Sequence, residues 1–581
     1  MKLFNINSWL RFLLRHDELF MLFVSIVVGI LAGYGNLVFR YFIELSQQLF
    51  YGVSGEAMLT ALQSQRGYKI ILMPALGGLL VGLLGLVFKS AKGHGVPDVI
   101  KAVLLNRRIS PFVAFIKTIA SSLTIGSGGS AGREGPIIQI GAALGAGIGR
   151  LLRFSGGRMK TVLACGASGG LAATFNAPMG GAMFASEIIV GEFSIKTFSP
   201  IIVSSVIATV ISRMYLGNDV TFAVPTYEFR NPIELIFYGI LGCLVAFIGV
   251  CFIKFFYKIE DLFTRLRLTN FLKPVLGGLL LGMLGLYAKE VMGVGYTTIV
   301  NILHNRLDIG LLFALIFLKM VATSLTLASG GAGGLFVPSL FIGASTGGFF
   351  GGILNFIYPG VIANSGAYAL VAMSAMLAST MRAPITAILI IFEITQSYEI
   401  ILPLMIATIV SNVVSNLLYK ESIFTYPLVK EGIKVKRTLE ESVLESIQVK
   451  DAMLKDNIIK FKKHTPIKDI IASIQRANYS YFPVVDDNDI LVGMLSLDDI
   501  RSILFDESVR DFLVADDICR RKDLSYVFPD DTLADAMAKM GLKDLGALPV
   551  VKKLDGDKLK FLGLLRRSDI IIAYNRYYSN M

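Results

Sequence analysis

The feature that most constrains this chain is an internal duplication of its apolar part. Pro74-Ala-Leu-Gly-Gly-Leu-Leu-Val-Gly-Leu-Leu-Gly-Leu86 returns 200 residues later as Pro274-Val-Leu-Gly-Gly-Leu-Leu-Leu-Gly-Met-Leu-Gly-Leu286. Lys117-Thr-Ile-Ala-Ser-Ser-Leu-Thr124 returns 202 residues later as Lys319-Met-Val-Ala-Thr-Ser-Leu-Thr326. The Gly-rich stretch Ser127–Gly132 recurs at the same offset as Ser329–Gly334, and Ala177-Pro178 with Glu187 is matched 206 residues on by Ala383-Pro384 with Glu393. Apolar composition can mimic one such match, but not four in order with slowly drifting offsets.

The duplicated part is written in long apolar runs, such as Leu19–Leu31, Ile233–Phe256, Ile309–Leu327 and Ile400–Leu418. Several approach the ~20 residues needed to cross a hydrocarbon core. Of the 581 residues only 17% are charged and 54% are hydrophobic, against about a quarter charged in a soluble protein. After Lys420 the texture changes to short apolar strands between charged residues, which puts a domain break near 420–445. A membrane domain of two halves is the signature of a transport fold, with the substrate site at the repeat interface. The offsets alone leave inverted and parallel halves both open.

Composition also excludes classes. A net charge of +12 reads as Lys and Arg in short cytoplasmic loops, which set membrane orientation, rather than as a nucleic-acid surface. Lys2, Arg11 and Arg15 ahead of the first span place the N-terminus in the cytoplasm, with Phe4–Arg15 as a short amphipathic helix. The long apolar run that follows has no small-residue cleavage site, so the start is not read as a signal peptide. The four cysteines (Cys165, Cys243, Cys251, Cys519) and four histidines (His16, His94, His304, His464) are scattered. They offer no disulfide framework, metal-ligand spacing or Ser-His-Asp constellation, so no enzyme and no metal site is expected.

Three segments share one grammar of a Gly-rich turn, a proline and then an apolar helical run. They are Gly93-His-Gly-Val-Pro97, Gly132-Arg-Glu-Gly-Pro136 and Gly334-Leu-Phe-Val-Pro338. Proline suits the first turn of a helix, and a helix start offers unpaired N–H donors and roughly half a positive charge. Several such ends aimed at one point hold an anion without a lysine in contact, yet weakly enough to release it.

These residues resemble the signatures of the CLC chloride channel and transporter family: GREGP at Gly132–Pro136, GxFxP at Gly334–Pro338 and GSGIP at Gly93–Pro97. The likeness covers about residues 20–425. It implies an all-α multi-pass membrane domain of two inverted repeats, over 19–425 with halves near 19–217 and 232–420. It implies a homodimer in the cell membrane with one path for chloride or other small anions per subunit. The backbone N–H groups of Leu335 and Phe336 would bind the central anion, with His94, Gly95, Arg133 and Gly135 around the site. Glu134 would be the external gate, its carboxylate occupying an anion site when the path is closed.

Three positions depart from the family pattern. The GSGIP serine is replaced by His94, whose ring either donates one N–H to the anion or turns away and leaves the ion to backbone amides. The inner-gate tyrosine falls on Phe424, which keeps the bulk and loses the hydroxyl. The internal proton glutamate of the family's exchangers falls on Ile188, which cannot carry a proton. Glu187, one residue earlier, is either a helix-end residue shared with Glu393 or a substitute proton site. The reading is therefore passive or weakly proton-coupled anion flow, with chloride/proton antiport as the alternative. A CBS-regulated magnesium channel is the alternative of another class; it would need an acidic oxygen cage.

A second repeat lies at 447–575, after a linker at 426–446. Tyr481-Phe-Pro-Val-Val-Asp486 with Leu491-Val-Gly-Met-Leu-Ser-Leu-Asp-Asp-Ile500 is similar to Ala547-Leu-Pro-Val-Val551 with Phe561-Leu-Gly-Leu-Leu-Arg-Arg-Ser-Asp-Ile570. Each reads as strand, turn, strand and a helix opened by Ser-x-x-Asp or Arg-x-x-Asp. This resembles an α/β cytoplasmic tandem CBS pair, which implies an adenine nucleotide held by Asp499 and Asp569, or else a purely structural, dimer-forming role.

Overall fold

The computed structural model describes residues 16–53, 58–107, 109–218, 222, 224–225, 233–359, 363–396, 398–433, 444, 447–475, 477, 479–504, 513–521, 524–542, 545–554 and 558–579. The expected N-terminal amphipathic helix and most of the expected linker lie outside these residues. The chain divides into two units, Met1–Val435 and Lys436–Met581. The helix Tyr426–Lys430 belongs to the first unit, although the sequence placed it in the linker. The physical reason is packing: Leu428 is fully buried, and Tyr426 stacks on Tyr257 with ring centroids 4.2 Å apart.

All regular structure described in the first unit is helical. That is what a chain in lipid must do, since each backbone polar group needs a partner inside the protein. Seven described helices are long and apolar enough to cross a membrane, among them Asp17–Tyr51, Glu234–Arg265 and Phe336–Ile357. Without a strong hydrophobic drive between helices in lipid, association depends on close backbone approach through small residues. Gly78 and Gly278 show this reciprocally. A Cβ at Gly78 would lie 2.2 Å from the Pro274 carbonyl oxygen, and one at Gly278 would lie 2.3 Å from that of Pro74.

The same reciprocity runs through the centre of the unit. Gly132 and Gly334, mates in the repeat, exchange both backbone hydrogen bonds, at 2.8 and 2.6 Å. The Gly93 N–H donates to the Gly331 carbonyl at 3.3 Å, and the Gly293 N–H donates to the Gly128 carbonyl at 3.0 Å. Gly132 and Gly334, equivalent residues that meet antiparallel, are related by a local two-fold axis. The fully buried Lys117 donates to the carbonyls of Lys92 and Gly93, and its mate Lys319 donates to those of Val291 and Gly293. Each ammonium is thus satisfied without water and pins the loop that precedes a short helix, Val96–Leu104 or Tyr296–Leu303.

The second unit is α/β. Strands Phe461–Lys462, Tyr481–Val485 and Leu491–Ser496 form one sheet, the first pair parallel and the second antiparallel. Ala547–Lys553 and Leu559–Arg566 form a second antiparallel pair. The two hairpins pair Pro483 with Met494 and Pro549 with Leu564, and each register shifts at the same point, between Val484 and Val485 and between Val550 and Val551. Helices Leu497–Leu504 and Arg567–Ser579 follow directly, as the repeat in the sequence requires.

Candidate anion pathway

Each of the three Gly-rich turns opens a helix: Val96–Leu104, Glu134–Leu151 and Phe336–Ile357. Gly95 has φ +80°, a conformation that a side chain rarely adopts. The turns converge because the Gly132–Gly334 exchange fixes two of them back to back. A Cβ at Gly135 would lie 2.5 Å from the His94 carbonyl oxygen and 2.9 Å from Gly334 Cα, so the third turn touches the same point. Leu335 and Phe336 are buried at the start of their helix, where the first N–H groups have no intrahelical acceptor.

Glu134 is fully buried at this crossing. Its Oε1 accepts the Tyr296 hydroxyl at 2.8 Å and lies 3.8 Å from Arg133 Nε. Among the described residues no donor completes a hydrogen bond to Oε2, although the N–H groups of Glu134 and Val337 face the carboxylate. Arg133 is drawn aside by the Tyr296 ring, its guanidinium carbon 4.9 Å from the ring centroid.

On the other side of the crossing the lining is aromatic. Phe424 is buried, 6.5 Å between ring centroids from both His94 and Phe184, and Phe336 stacks near Phe175 at 5.2 Å. The His94 ring is buried beside Phe424 and Phe256, and its Nδ1 has no hydrogen-bond partner among the described residues.

Two cavities lead to this point. One, of about 110 Å³, is lined by Gly293, Gly295, Tyr296, Arg133, Arg40 and Glu290. The other, of about 480 Å³, is lined by Gly93, His94, Gly95, Lys92, Lys273 and Glu260. They share no lining residue, and the loops that line them are mates in the repeat. Glu134 stands beside Arg133 and Tyr296 of the first cavity's lining, and Phe424 beside His94 of the second.

Sequence reasoning brought His94, Gly95, Arg133, Glu134, Gly135, Leu335, Phe336 and Phe424 to one place. It missed Tyr296 and the two buried lysines. Tyr296 stands 200 residues after Val96, so the repeat offset was the signal that finds it. Ile188 is half-buried among apolar residues, while Glu187 accepts the Thr386 N–H and hydroxyl at 2.8 and 2.6 Å.

In the second unit a cleft of about 330 Å³ is lined by Tyr481, Ser496, Asp499, Arg520 and Ala547. Burial alone would raise the Asp499 carboxyl, but hydrogen bonds from Ser496 and Arg520 outweigh it and hold it below the usual carboxylate range. Asp569, expected beside a nucleotide, does not line this cleft. It is nearly buried and takes both arms of the Arg566 guanidinium, at 2.9 and 2.6 Å. Arg566 stands where the first copy has Ser496, and its longer, charged side chain reaches the Asp569 carboxylate in the first turn of the helix that follows.

Residues 76–416 match the family described as voltage gated chloride channel, and residues 449–506 and 514–576 each match a CBS domain. A ClcB-like chloride channel protein of Ralstonia nicotianae is 32% identical over 418 residues, 71% of this chain and 97% of that protein. Chloride channel protein CLC-f of Arabidopsis thaliana is 30% identical over 586 residues, 87% of this chain and 73% of that protein. Among solved structures, a slow cyanobacterial Cl⁻/H⁺ antiporter superposes with a TM-score of 0.65 at 25% identity, covering 71% of this chain and 97% of the other. The chain belongs to the voltage gated chloride channel, or CLC, family and carries a pair of CBS domains after its membrane part.

Proposed function

We propose that this chain conducts chloride across a cell membrane as a homodimer, passively or with weak proton coupling, along the path between the two cavities. One observation carries the reading: a fully buried carboxylate, Glu134, sits at the crossing of the two Gly-rich turns, where backbone N–H groups would otherwise hold an anion. Glu134 is the gate at one mouth. Leu335 and Phe336 offer amides to the central ion, and His94 and Phe424 narrow the other mouth without the hydroxyls that serine and tyrosine would bring. The mouth beside Glu134 is outer, and that beside His94 is cytoplasmic.

Weak or absent coupling is favoured by Ile188, an apolar side chain where an internal proton carrier would stand. Antiport is the second reading, favoured by the likeness to the slow cyanobacterial Cl⁻/H⁺ antiporter. Reversal potentials in reconstituted membranes under opposed chloride and pH gradients separate them. Passive flow predicts reversal at the chloride equilibrium potential whatever the pH gradient. A reversal that moves with pH in a fixed ratio establishes antiport, and a current carried by magnesium with chloride replaced ends both readings.

A further inference from the structure

We propose that Tyr296 is the latch of the Glu134 gate: its hydroxyl holds the carboxylate in the closed path and must let go before an anion can pass. The inference rests on the gate reading above and adds a residue to it.

The helix Tyr296–Leu303 begins at Tyr296 and is the repeat mate of Val96–Leu104. In the first half the turn before the helix presents His94 to one cavity. In the second half the inverted copy presents Tyr296 to the other. One structural element thus furnishes a side chain to each constriction. The loop cannot drift away from the gate, because Lys319 grips the Val291 and Gly293 carbonyls and the Gly293 N–H is bound to Gly128. The ring is fixed on its faces by Phe222, 5.4 Å between centroids, and by Arg133. The directional bond that ties the ring to the gate runs from the Tyr296 hydroxyl to Glu134 Oε1 at 2.8 Å; the hydroxyl also meets the Arg133 side chain. Tyr296 lines the cavity that the carboxylate would enter on swinging out, so the outward path begins by breaking this bond.

The charged and titratable groups facing Glu134 are few. Arg133 lies beside it at 3.8 Å. His94, from the Gly93–Gly95 turn, is directed to Phe424. Arg40, Glu44 and Glu290 line the cavity beyond Tyr296. Tyr296 alone among their side chains donates a hydrogen bond to the carboxylate among the described residues.

The test is a cycle of Tyr296→Phe, Glu134→Ala and the double variant, each purified as full-length protein and reconstituted in liposomes. Phenylalanine keeps the ring and its packing, and elution as a single folded species is checked for each. A hydrogen bond to a charged group shifts an equilibrium by roughly tenfold or more, so Tyr296→Phe is expected to raise chloride efflux at pH 7 by about that factor. Its efflux-versus-pH curve should also flatten toward that of Glu134→Ala. The double variant should match Glu134→Ala, because a latch has nothing to hold once the carboxylate is gone. Wild-type efflux and pH profile in Tyr296→Phe, alongside an open Glu134→Ala, overturn the latch and leave the gate standing. Efflux below wild type in Tyr296→Phe also overturns it, since the hydroxyl would then serve the ion. An unchanged Glu134→Ala removes the gate itself, and the latch with it.

Discussion

The Glu187 carboxylate accepts both the N–H and the hydroxyl of Thr386, at 2.8 and 2.6 Å. Its repeat mate Glu393 returns the contact, accepting the N–H groups of Met179 and Gly180 at 2.9 and 2.6 Å. Each glutamate therefore sits on the first turn of the other half's Ala-Pro helix, Pro178–Phe184 or Pro384–Thr395. Those turns carry N–H groups with no intrahelical acceptor and the positive end of the helix dipole. The duplication of Glu187 as Glu393 is a reciprocal cap.

Glu187→Gln and Glu393→Gln should accordingly cost stability by similar amounts, about 1–3 kcal/mol for loss of charge-assisted hydrogen bonds. Chloride flux per folded protein should stay unchanged, and proton flux should stay at its wild-type level. Melting in detergent and paired chloride and proton flux assays read these quantities. Loss of proton movement in Glu187→Gln alone would make that residue a proton site instead.

Much of this arrangement was legible in the sequence because duplication leaves a mark that composition does not. The offsets located Gly132 against Gly334, Lys117 against Lys319 and Glu187 against Glu393, and the prolines marked three helix starts. Tyr296 escaped because the turn at Gly293–Gly295 opens its helix without a proline. The burial of Lys117 and Lys319 escaped for another reason. A lysine in an apolar run reads as a membrane-edge residue until the carbonyls that satisfy it are seen, and those lie in distant loops. Asp569 matched Asp499 by register, yet the partner that occupies it, Arg566, is a change of side chain in the motif, whose consequence is a matter of reach and geometry.

Gly132→Ala offers a test of the gate that keeps its carboxylate. Gly132 is free of positive φ, so alanine suits its backbone, but the added Cβ would stand 2.3 Å from Glu134 Oε2. The glutamate must then leave its cradle. Chloride efflux at neutral pH should rise toward that of Glu134→Ala, with the protein eluting as wild type on gel filtration. Unchanged efflux in a folded variant would mean that the carboxylate is displaced without opening the path.

In the cytoplasmic pair the two aspartates should behave differently. Asp499 lines the cleft beside Arg520, so a nucleotide entering there competes with an exposed ion pair of little strength. ATP, ADP or AMP should raise the melting temperature of the full-length protein, and Asp499→Asn should remove the shift. Asp569→Asn should leave the shift in place while lowering stability, because Arg566 already fills that carboxylate. The folded Asp499 carboxyl is held below its unfolded value. Its contribution to stability is therefore present above the unfolded range near ~4 and fades as pH falls through the folded value. An equal loss of the nucleotide shift in both variants would restore Asp569 as a contact.

The largest effect should come from Glu134. A carboxylate inside a membrane costs about 2.5–3.5 kcal/mol on insertion scales, which the Tyr296 hydroxyl and the surrounding N–H groups offset in the closed state. Those groups are the ones that would hold chloride, so side chain and ion compete for one site. Protonation removes the charge and with it the claim on the donors, and acid should open the path. Glu134→Gln and Glu134→Ala should therefore give efflux that is high and nearly independent of pH between about 4.5 and 7.5, where the wild type rises on acidification. Arg133 supplies the competing account, since its Nε lies 3.8 Å from the same carboxylate. If Glu134 were only the partner of Arg133, its removal would strand a charge and unfold the protein or leave the pH profile as it was. The guanidinium, however, is already engaged with the Tyr296 ring, so a folded protein with a flattened profile is the expected result.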